Sequence, residues 1–326
     1  MKNKLLITGA SGFLGYHLIE AALSAGYEVY AGVRKSSNTT HLDKSKITVV
    51  DINMADADAV KTLLEKYGIT HIIHGAALTR AKTESDYNFS NATLTRNLAI
   101  AAAGAGVKKF VFVSSLAALG PSADGKPIEE NAVPQPVTWY GKSKLLAENY
   151  LREIKSLPFI VLRPTAVYGP REKDLFLLVQ SVKRGMEVYI GRGEQKLSFV
   201  YVKDVASIAV RCLSSEINGE FYNLSDGKVY DQYAFSNEAK KCLHKKTWRV
   251  HLPLGLIKKV AGGMDVLYSR SSKTPVLNKD KVNELTAKDW SCSIEKIKEQ
   301  QAYNPQYDLQ SGMEETIEWY KNHKWI

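Results

Sequence analysis

Leu5-Leu6-Ile7-Thr8-Gly9-Ala10-Ser11-Gly12-Phe13-Leu14-Gly15 carries a short apolar run into three glycines spaced three apart. The stretch reads as a strand running straight into a phosphate-binding turn. The first glycine permits a tight turn, the second lets backbone approach a pyrophosphate with no Cβ in between, and the third lets the following helix pack on the sheet. That helix, Tyr16 to Leu23 with Gly26 beyond it, is expected to present unpaired N–H groups and its positive dipole end to the phosphates. A glycine triplet alone also marks ordinary turns. The strand pattern before this one and the amphipathic run after it turn the reading toward a nucleotide site.

Composition narrows the class. The chain has 326 residues, 44% of them hydrophobic, enough for one large α/β domain with a smaller substrate-covering part. Only three apolar residues separate Met1-Lys2-Asn3-Lys4 from Thr8, unlike a signal peptide, and no apolar run approaches the roughly 20 residues that span a bilayer. Cys212, Cys242 and Cys292 lie far apart, with no Cys-x-x-Cys spacing, so neither a disulfide framework nor a zinc or other metal site is indicated. A cytoplasmic setting is the expectation. The net charge of +10 comes from scattered pairs such as Lys108-Lys109, Lys183-Arg184, Lys245-Lys246 and Lys258-Lys259. Scattered pairs form a solvated surface, so nucleic acid is not expected as a partner.

Beyond the first helix, strand patterns occur at Tyr27 to Arg34, Ile47 to Asn53, His71 to Ala77, Lys109 to Ser115 and Phe159 to Arg163. Helical patterns at Asp56 to Tyr67, Asn91 to Ala103 and Lys142 to Ile154 alternate with them, the first two stopping at Gly68 and Gly104. Repeated β-α-β units with right-handed crossovers predict a doubly wound parallel sheet whose ligands lie beyond the carboxyl ends of its strands. After Arg163 the pattern is broken by Pro164, Gly169-Pro170, Gly185, Gly191 and Gly193. We therefore expect a dinucleotide-binding domain over 1–164, also receiving the strand and helix pattern of 198–213, and a substrate-binding part over 165–326.

Tyr140-Gly141-Lys142-Ser143-Lys144 sets a phenol and an ammonium four apart, on one face of a helix. A second such pair, Tyr320 and Lys324, has no nucleotide signal near it. The first differs because the strand ending in Ser114-Ser115 supplies a hydroxyl at the same rim. This set suits hydride transfer to or from a carbonyl carbon, where an oxygen must gain or lose a proton in the same step. A phenol with an ordinary pKa of about 10 is a poor base at neutral pH, and a neighbouring cation is expected to lower it. Tyr140 then serves as general acid/base, Lys144 as its electrostatic partner and ribose ligand, and one serine as donor to the substrate oxygen. Adjacent strand-end residues face opposite ways, so only Ser114 or Ser115 fills that role.

With these residues in hand, the chain resembles an extended short-chain dehydrogenase/reductase, the superfamily of NAD(P)-dependent epimerases, dehydratases and reductases. The matching stretches are Thr8 to Gly15, Asp51-Ile52, His74-Gly75-Ala76-Ala77, Ser114-Ser115 with Gly120, Tyr140 to Lys144, Arg163 to Gly169 and Phe199 to Val205. The resemblance implies a Rossmann-type α/β fold, an enzyme, and Ser115 as the catalytic serine. It further implies cofactor contacts from Gly9, Ser11, Gly12, Phe13, Leu14, Gly15, Asp51, Ile52, Ala76, Ala77, Tyr140 and Lys144, with Pro164 and Val167 beside the nicotinamide. His74 is expected to be a packed strand-end histidine and Ser114 structural.

The second strand ends in Val33-Arg34-Lys35-Ser36-Ser37, basic where NAD enzymes carry a carboxylate for the ribose diol. A guanidinium flanked by an ammonium and hydroxyls suits a 2′-phosphate, so NADP is preferred and NAD is the second choice, with Arg34 then stacking on adenine. Sugar-nucleotide members commonly carry Asn where this chain has Ala166, an arginine where it has Leu197, and, in dehydratases, an Asp-Glu pair where Leu116-Ala117 follow Ser115. What remains resembles the dihydroflavonol reductase and 3β-hydroxysteroid dehydrogenase branch, with Arg163-Pro164-Thr165 and the later Trp290-Ser291-Cys292-Ser293 as shared features. The apolar run Val250 to Tyr268 lines a pocket or forms a core-facing helix. The leading expectation is an oxidoreductase interconverting a secondary alcohol and a ketone, or reducing an aldehyde, on a small apolar molecule. A nucleotide-sugar 4-epimerase retaining NAD, and a non-catalytic dinucleotide sensor, are the alternatives. A homodimer is compatible with each.

Overall fold

The computed structural model describes residues 3–268 and 279–326. Its first half alternates strands and helices: β1 (Lys4–Thr8), α1 (Phe13–Ser24), β2 (Glu28–Val33), β3 (Thr48–Asp51), α2 (Ala57–Tyr67), β4 (His71–His74), α3 (Glu84–Tyr87), α4 (Leu94–Gly104), β5 (Lys109–Val113), α5 (Trp139–Glu153) and β6 (Phe159–Pro164). A π-helical turn, Asn88–Thr93, joins α3 to α4. The second half is more broken: β7 (Ala166–Tyr168), α6 (Phe176–Lys183), β8 (Met186–Ile190), β9 (Lys196–Leu197), β10 (Phe199–Tyr201), α7 (Val202–Arg211) and β11 (Glu220–Leu224). Then come β12 (Tyr230–Asp231), α8 (Ala234–Leu243), β13 (Trp248–Leu252), α9 (Leu254–Tyr268), α10 (Lys279–Thr286), β14 (Asp289–Trp290), α11 (Glu295–Gln301) and α12 (Leu309–Asn322).

Seven strands form the central sheet in the order β11-β6-β5-β4-β1-β2-β3, all parallel. This is the doubly wound Rossmann arrangement, with its crossover between β1 and β4. Period-two alternation divides the strands between two helix layers. Leu5 and Ile7 face one layer with Leu18 and Ala22 of α1 and Val205 and Ala209 of α7. Leu6 faces the other with Leu64 of α2, Leu98 of α4 and Leu151 of α5. The seventh strand is Glu220–Leu224, paired with β6. The expected strand at Phe199 instead pairs with β7 outside this sheet, while its helix, α7, does return to pack beside α1. A separate aromatic core of Tyr168, Phe199, Tyr201, Phe235, Met313 and Tyr320 sits in the second half. Among the described residues no helix is long and apolar enough to cross a membrane.

Candidate active site

The sheet order lines up the carboxyl ends of six strands along one edge. From one side to the other they present Asp51 at the end of β3, Arg34 after β2, the glycine loop after β1, Ala76 and Ala77 after β4, Ser115 after β5 and Pro164 ending β6. At about 4.8 Å per strand, the tips of β2 and β5 stand about 14 Å apart. The glycine loop is a cradle that side chains would fill: a Cβ on Gly15 would lie 2.1 Å from the carbonyl oxygen of Gly9. Helix α1 starts after Gly12 with no side-chain cap, so the first-turn amides of Phe13 and Leu14 have no intrahelical acceptor. A bare cradle at the start of a 12-residue helix fits a dinucleotide pyrophosphate. Arg34 is exposed and opens a turn closed by Ser37, whose amide donates to the Arg34 carbonyl at 2.8 Å. Asp51 is exposed beside it, whereas Ile52 is buried and its amide donates to the Val33 carbonyl at 3.0 Å.

At the other end of the edge, Ser115 leaves β5 in extended conformation and its hydroxyl accepts the Ala117 amide at 3.2 Å. Tyr140 lies in the first turn of α5, where Thr138 caps the helix by accepting the Gly141 amide at 3.0 Å. Burial pushes the Tyr140 phenol up to about 12, against the pull of its hydrogen bond with Ser115. The sequence-based direction was downward. The difference comes from burial, which outweighs that hydrogen bond. The Lys144 ammonium donates to the Val113 carbonyl at 2.7 Å and sits 4.3 Å over the Phe112 ring. Burial brings its own pKa down to about 7.

Asn91, which sequence reading had only as the first residue of a helix, belongs to this group. It is buried in the π-helical turn, where its carboxamide accepts the Leu78 amide at 2.7 Å and donates to the Leu78 carbonyl at 3.0 Å and to Ser143 Oγ at 3.0 Å. Ser143 in turn donates to the Tyr140 carbonyl at 2.7 Å. The loop after β4 is thereby tied to the helix that carries Tyr140.

The two serines separate cleanly. Ser114 is buried and donates to Glu148 Oε1 at 2.6 Å, and Glu148 is paired with Arg163 at 2.7 Å in a fully buried ion pair. His74 is buried between Thr8 Oγ1 at 2.5 Å and Thr95 Oγ1 at 2.8 Å, stacked on Phe112, with burial holding its pKa at about 3. The second tyrosine and lysine part company: Tyr320 is buried and donates to the Glu172 carbonyl at 3.2 Å, while Lys324 lies beyond the end of α12 with φ 57°.

On the substrate side, Ala166 is exposed, Val167 is half-buried against the main core, and Leu197 packs with the aromatic core. Of the run 250–268, whose side chains are described to residue 264, Ile257 and Ala261 are buried while Leu256 and Val260 are exposed. Helix α10 reaches the same region: both carboxylate oxygens of Asp280 accept the Trp139 amide, at 3.0 and 3.1 Å, and Glu284 bears electrostatically on Tyr140.

This fold and this edge are those of a family. The model of the NAD dependent epimerase/dehydratase family matches residues 5–225, and the chain belongs to that family. It is therefore an enzyme of the extended short-chain dehydrogenase/reductase superfamily using a nicotinamide cofactor. The chain is 29% identical over 335 residues to a UDP-glucose 4-epimerase of Vibrio cholerae, covering 98% of this chain and 95% of that protein. It is 28% identical over 330 residues to a ceramide reductase of Caulobacter vibrioides, covering 100% and 96%. Among solved structures, a UDP-glucose 4-epimerase of Thermotoga maritima shares the fold with a TM-score of 0.82 over 98% of this chain and 99% of that one, at 22% identity.

Proposed function

We propose that this enzyme is an NADP-preferring oxidoreductase that interconverts a secondary alcohol and a ketone, or reduces an aldehyde, on a small and largely apolar substrate. Residues 1–164 hold the dinucleotide in this reading and 165–326 supply most of the substrate cover. The pyrophosphate rests on Gly9, Ser11, Gly12, Phe13, Leu14 and Gly15. Asp51 and Ile52 take the adenine end, Arg34 the 2′-phosphate, and Ala76 and Ala77 the inner ribose. Pro164 and Val167 stand beside the nicotinamide, which when bound supplies or accepts the hydride.

The observation that carries the reading is that Ser115, leaving β5, and Tyr140, in the first turn of α5, are brought together at the strand ends by the close seat of Gly141 on the Ala117 carbonyl. A substrate carbonyl oxygen placed between them accepts two hydrogen bonds that strengthen as negative charge develops on it. Tyr140, protonated at neutral pH, donates its proton to that oxygen, and Ser115 holds the oxygen in place. Lys144 orients the ribose, and its positive charge stabilises the Tyr140 phenolate left by the transfer until a proton from solvent restores the phenol. The apolar substrate is supported by Leu197, committed to core packing where a diphosphate-gripping arginine would stand, and by Ala166.

A nucleotide-sugar 4-epimerase retaining NAD is the second reading, favoured by the Vibrio relative's name. The two differ in whether cofactor is consumed. Fluorescence titration with NADPH and NADH, with and without UDP-sugars, followed by NADPH turnover on a panel of apolar ketones and aldehydes, separates them. Preference for NADPH, net consumption and no response to UDP-sugars support the reductase; a UDP-sugar response with tightly held NAD overturns it. Tyr140→Phe should lower turnover at least about 100-fold while leaving NADPH affinity within a few-fold. Unchanged turnover would remove Tyr140 from the mechanism.

A further inference from the structure

Strands β8 and β13 pair in parallel away from the central sheet, with Met186 opposite Trp248, Val188 opposite Val250 and Ile190 opposite Leu252. Alternation gives this ribbon two unlike faces. Glu187, Tyr189, Arg249 and His251 turn toward α8, where Glu187 pairs with Lys240 at 2.8 Å and Tyr233 hydrogen-bonds His251 at 2.9 Å. The other face is apolar. Its far end, Ile190 and Leu252, is covered by Ile257 and Ala261 of α9, but Trp248 is 83% exposed and Met186, Val188 and Val250 are 40–49% exposed. Leu256 and Val260 continue the apolar surface along the flank of α9.

The rim of this surface has one sign of charge. Of the ten lysines and arginines in segments 176–192 and 240–263, Lys240 and Arg249 pair with Glu187 on the inner face and Lys241 pairs with Glu238, which leaves Lys183, Arg184, Arg192, Lys245, Lys246, Lys258 and Lys259 as exposed cations. Exposed Lys183-Arg184 and Lys245-Lys246 stand together at one end of the ribbon, where the Trp248 amide donates to the Gly185 carbonyl at 2.8 Å. Exposed Lys258 and Lys259 lie on α9 beyond the other end.

We infer that this face docks on a membrane surface containing anionic lipid. A bilayer interface matches each part of the patch: an indole at headgroup level, aliphatic side chains inserted shallowly, and cations against the lipid phosphates. A second copy of the chain fits poorly, because pairing the same face on itself sets the cationic rims against each other. The docked surface also borders the reaction cleft, since α9 packs on α10 through Ile257, Ala261 and Val282, and Asp280 of α10 holds the amide next to Tyr140. An apolar substrate can then pass from the lipid to the cleft along α9. That last step rests on the proposed apolar substrate; the docking itself does not.

The test is co-sedimentation of the full chain with vesicles of phosphatidylglycerol and phosphatidylcholine in equal parts, against vesicles of phosphatidylcholine alone. Partitioning should be at least about tenfold stronger on the anionic vesicles and should fall in high salt. Trp248→Ser with Val250→Ser should reduce it about tenfold or more, and Lys245→Gln with Lys246→Gln about fivefold per cation removed. Both variants should keep wild-type melting temperature and NADPH binding, since the altered groups are exposed. Absence of binding, equal binding to the two vesicle types, or full binding by the Trp248 variant overturns the proposal. So does a dimer in sedimentation equilibrium that Trp248→Ser splits, which would assign the face to a second copy. None of these readouts depends on turnover, so failure of the reductase reading leaves the docking result standing, and the reverse holds.

Discussion

Gly141 brings helix α5 so close to the turn after Ser115 that a Cβ built on it would lie 2.2 Å from the carbonyl oxygen of Ala117. That contact sets the distance between the two hydroxyls proposed to hold the substrate oxygen. Alanine at an unconstrained helical position should stabilise by up to about 1 kcal/mol relative to glycine. Here the backbone of one element must move instead. Gly141→Ala should cost about 1–3 kcal/mol in urea unfolding and lower turnover at least tenfold, because a shift of about 1 Å at a reacting group has effects of that size. A variant of wild-type stability and activity would show that this crossing does not set the site.

Ser114 and Ser115 are neighbours with opposite surroundings, so the same substitution should act on different quantities. Ser114→Ala removes a donor to buried Glu148, leaving that carboxylate with Arg163 alone. The expected loss is about 1–3 kcal/mol of stability, with turnover per folded molecule within a few-fold of wild type. Ser115→Ala should do the converse, cutting turnover by about 100-fold while stability changes little. Swapped outcomes would assign the catalytic hydroxyl to Ser114.

The parts of this molecule that were legible in the sequence are those written in local chemistry. Helix α2 begins and ends where Asp56 and Gly68 place it because a cap and a C-terminal glycine lie within its own stretch. The Tyr140 and Lys144 pair was visible for the same reason, being one helical turn apart. Strand β11 was not, because its Asn223 breaks the apolar pattern and finds partners only from afar, its carboxamide donating to the Ile128 carbonyl at 3.0 Å and its backbone N–H to Glu130 at 2.9 Å. Asn91 was hidden likewise: its partners, Leu78 and Ser143, stand 13 and 52 residues away. The direction of the Tyr140 shift depended on how far the fold buries the phenol, which no spacing reveals.

Arg34 stands exposed at the tip of β2 with Lys35 and the Ser37 hydroxyl beside it. If its role is to hold a 2′-phosphate, loss of that charge-assisted contact should fall on one cofactor only. Arg34→Ser should raise the Kd for NADPH about tenfold to 100-fold and leave that for NADH within a few-fold, read by fluorescence titration. An equal loss for both would instead mean that the guanidinium stacks on the adenine they share.

The buried histidines His17, His71 and His74 should make the fold sensitive to mild acid, His74 and His17 most of all. Burial lowers His74 to about 3 and His17 to about 4, the latter against its bond to the Pro170 carbonyl at 3.1 Å. Both are neutral in the folded chain at pH 5, whereas in the unfolded chain each takes up a proton as pH falls through about 6.5. The unfolded state binds more protons in that window, so stability must decrease as pH drops from about 6.5 toward 4. Each histidine accounts for about 2 kcal/mol between pH 7 and pH 5. Carboxylates titrating in the same range contribute equally to wild type and variant, so the difference between them isolates the imidazole. His74→Asn, though less stable at pH 7 through loss of its bonds to Thr8 and Thr95, should lose about 2 kcal/mol less than wild type when urea unfolding is repeated at pH 5. A variant with the wild-type pH dependence would mean that His74 is protonated in the folded chain and that its pair of threonine contacts is made by the charged ring.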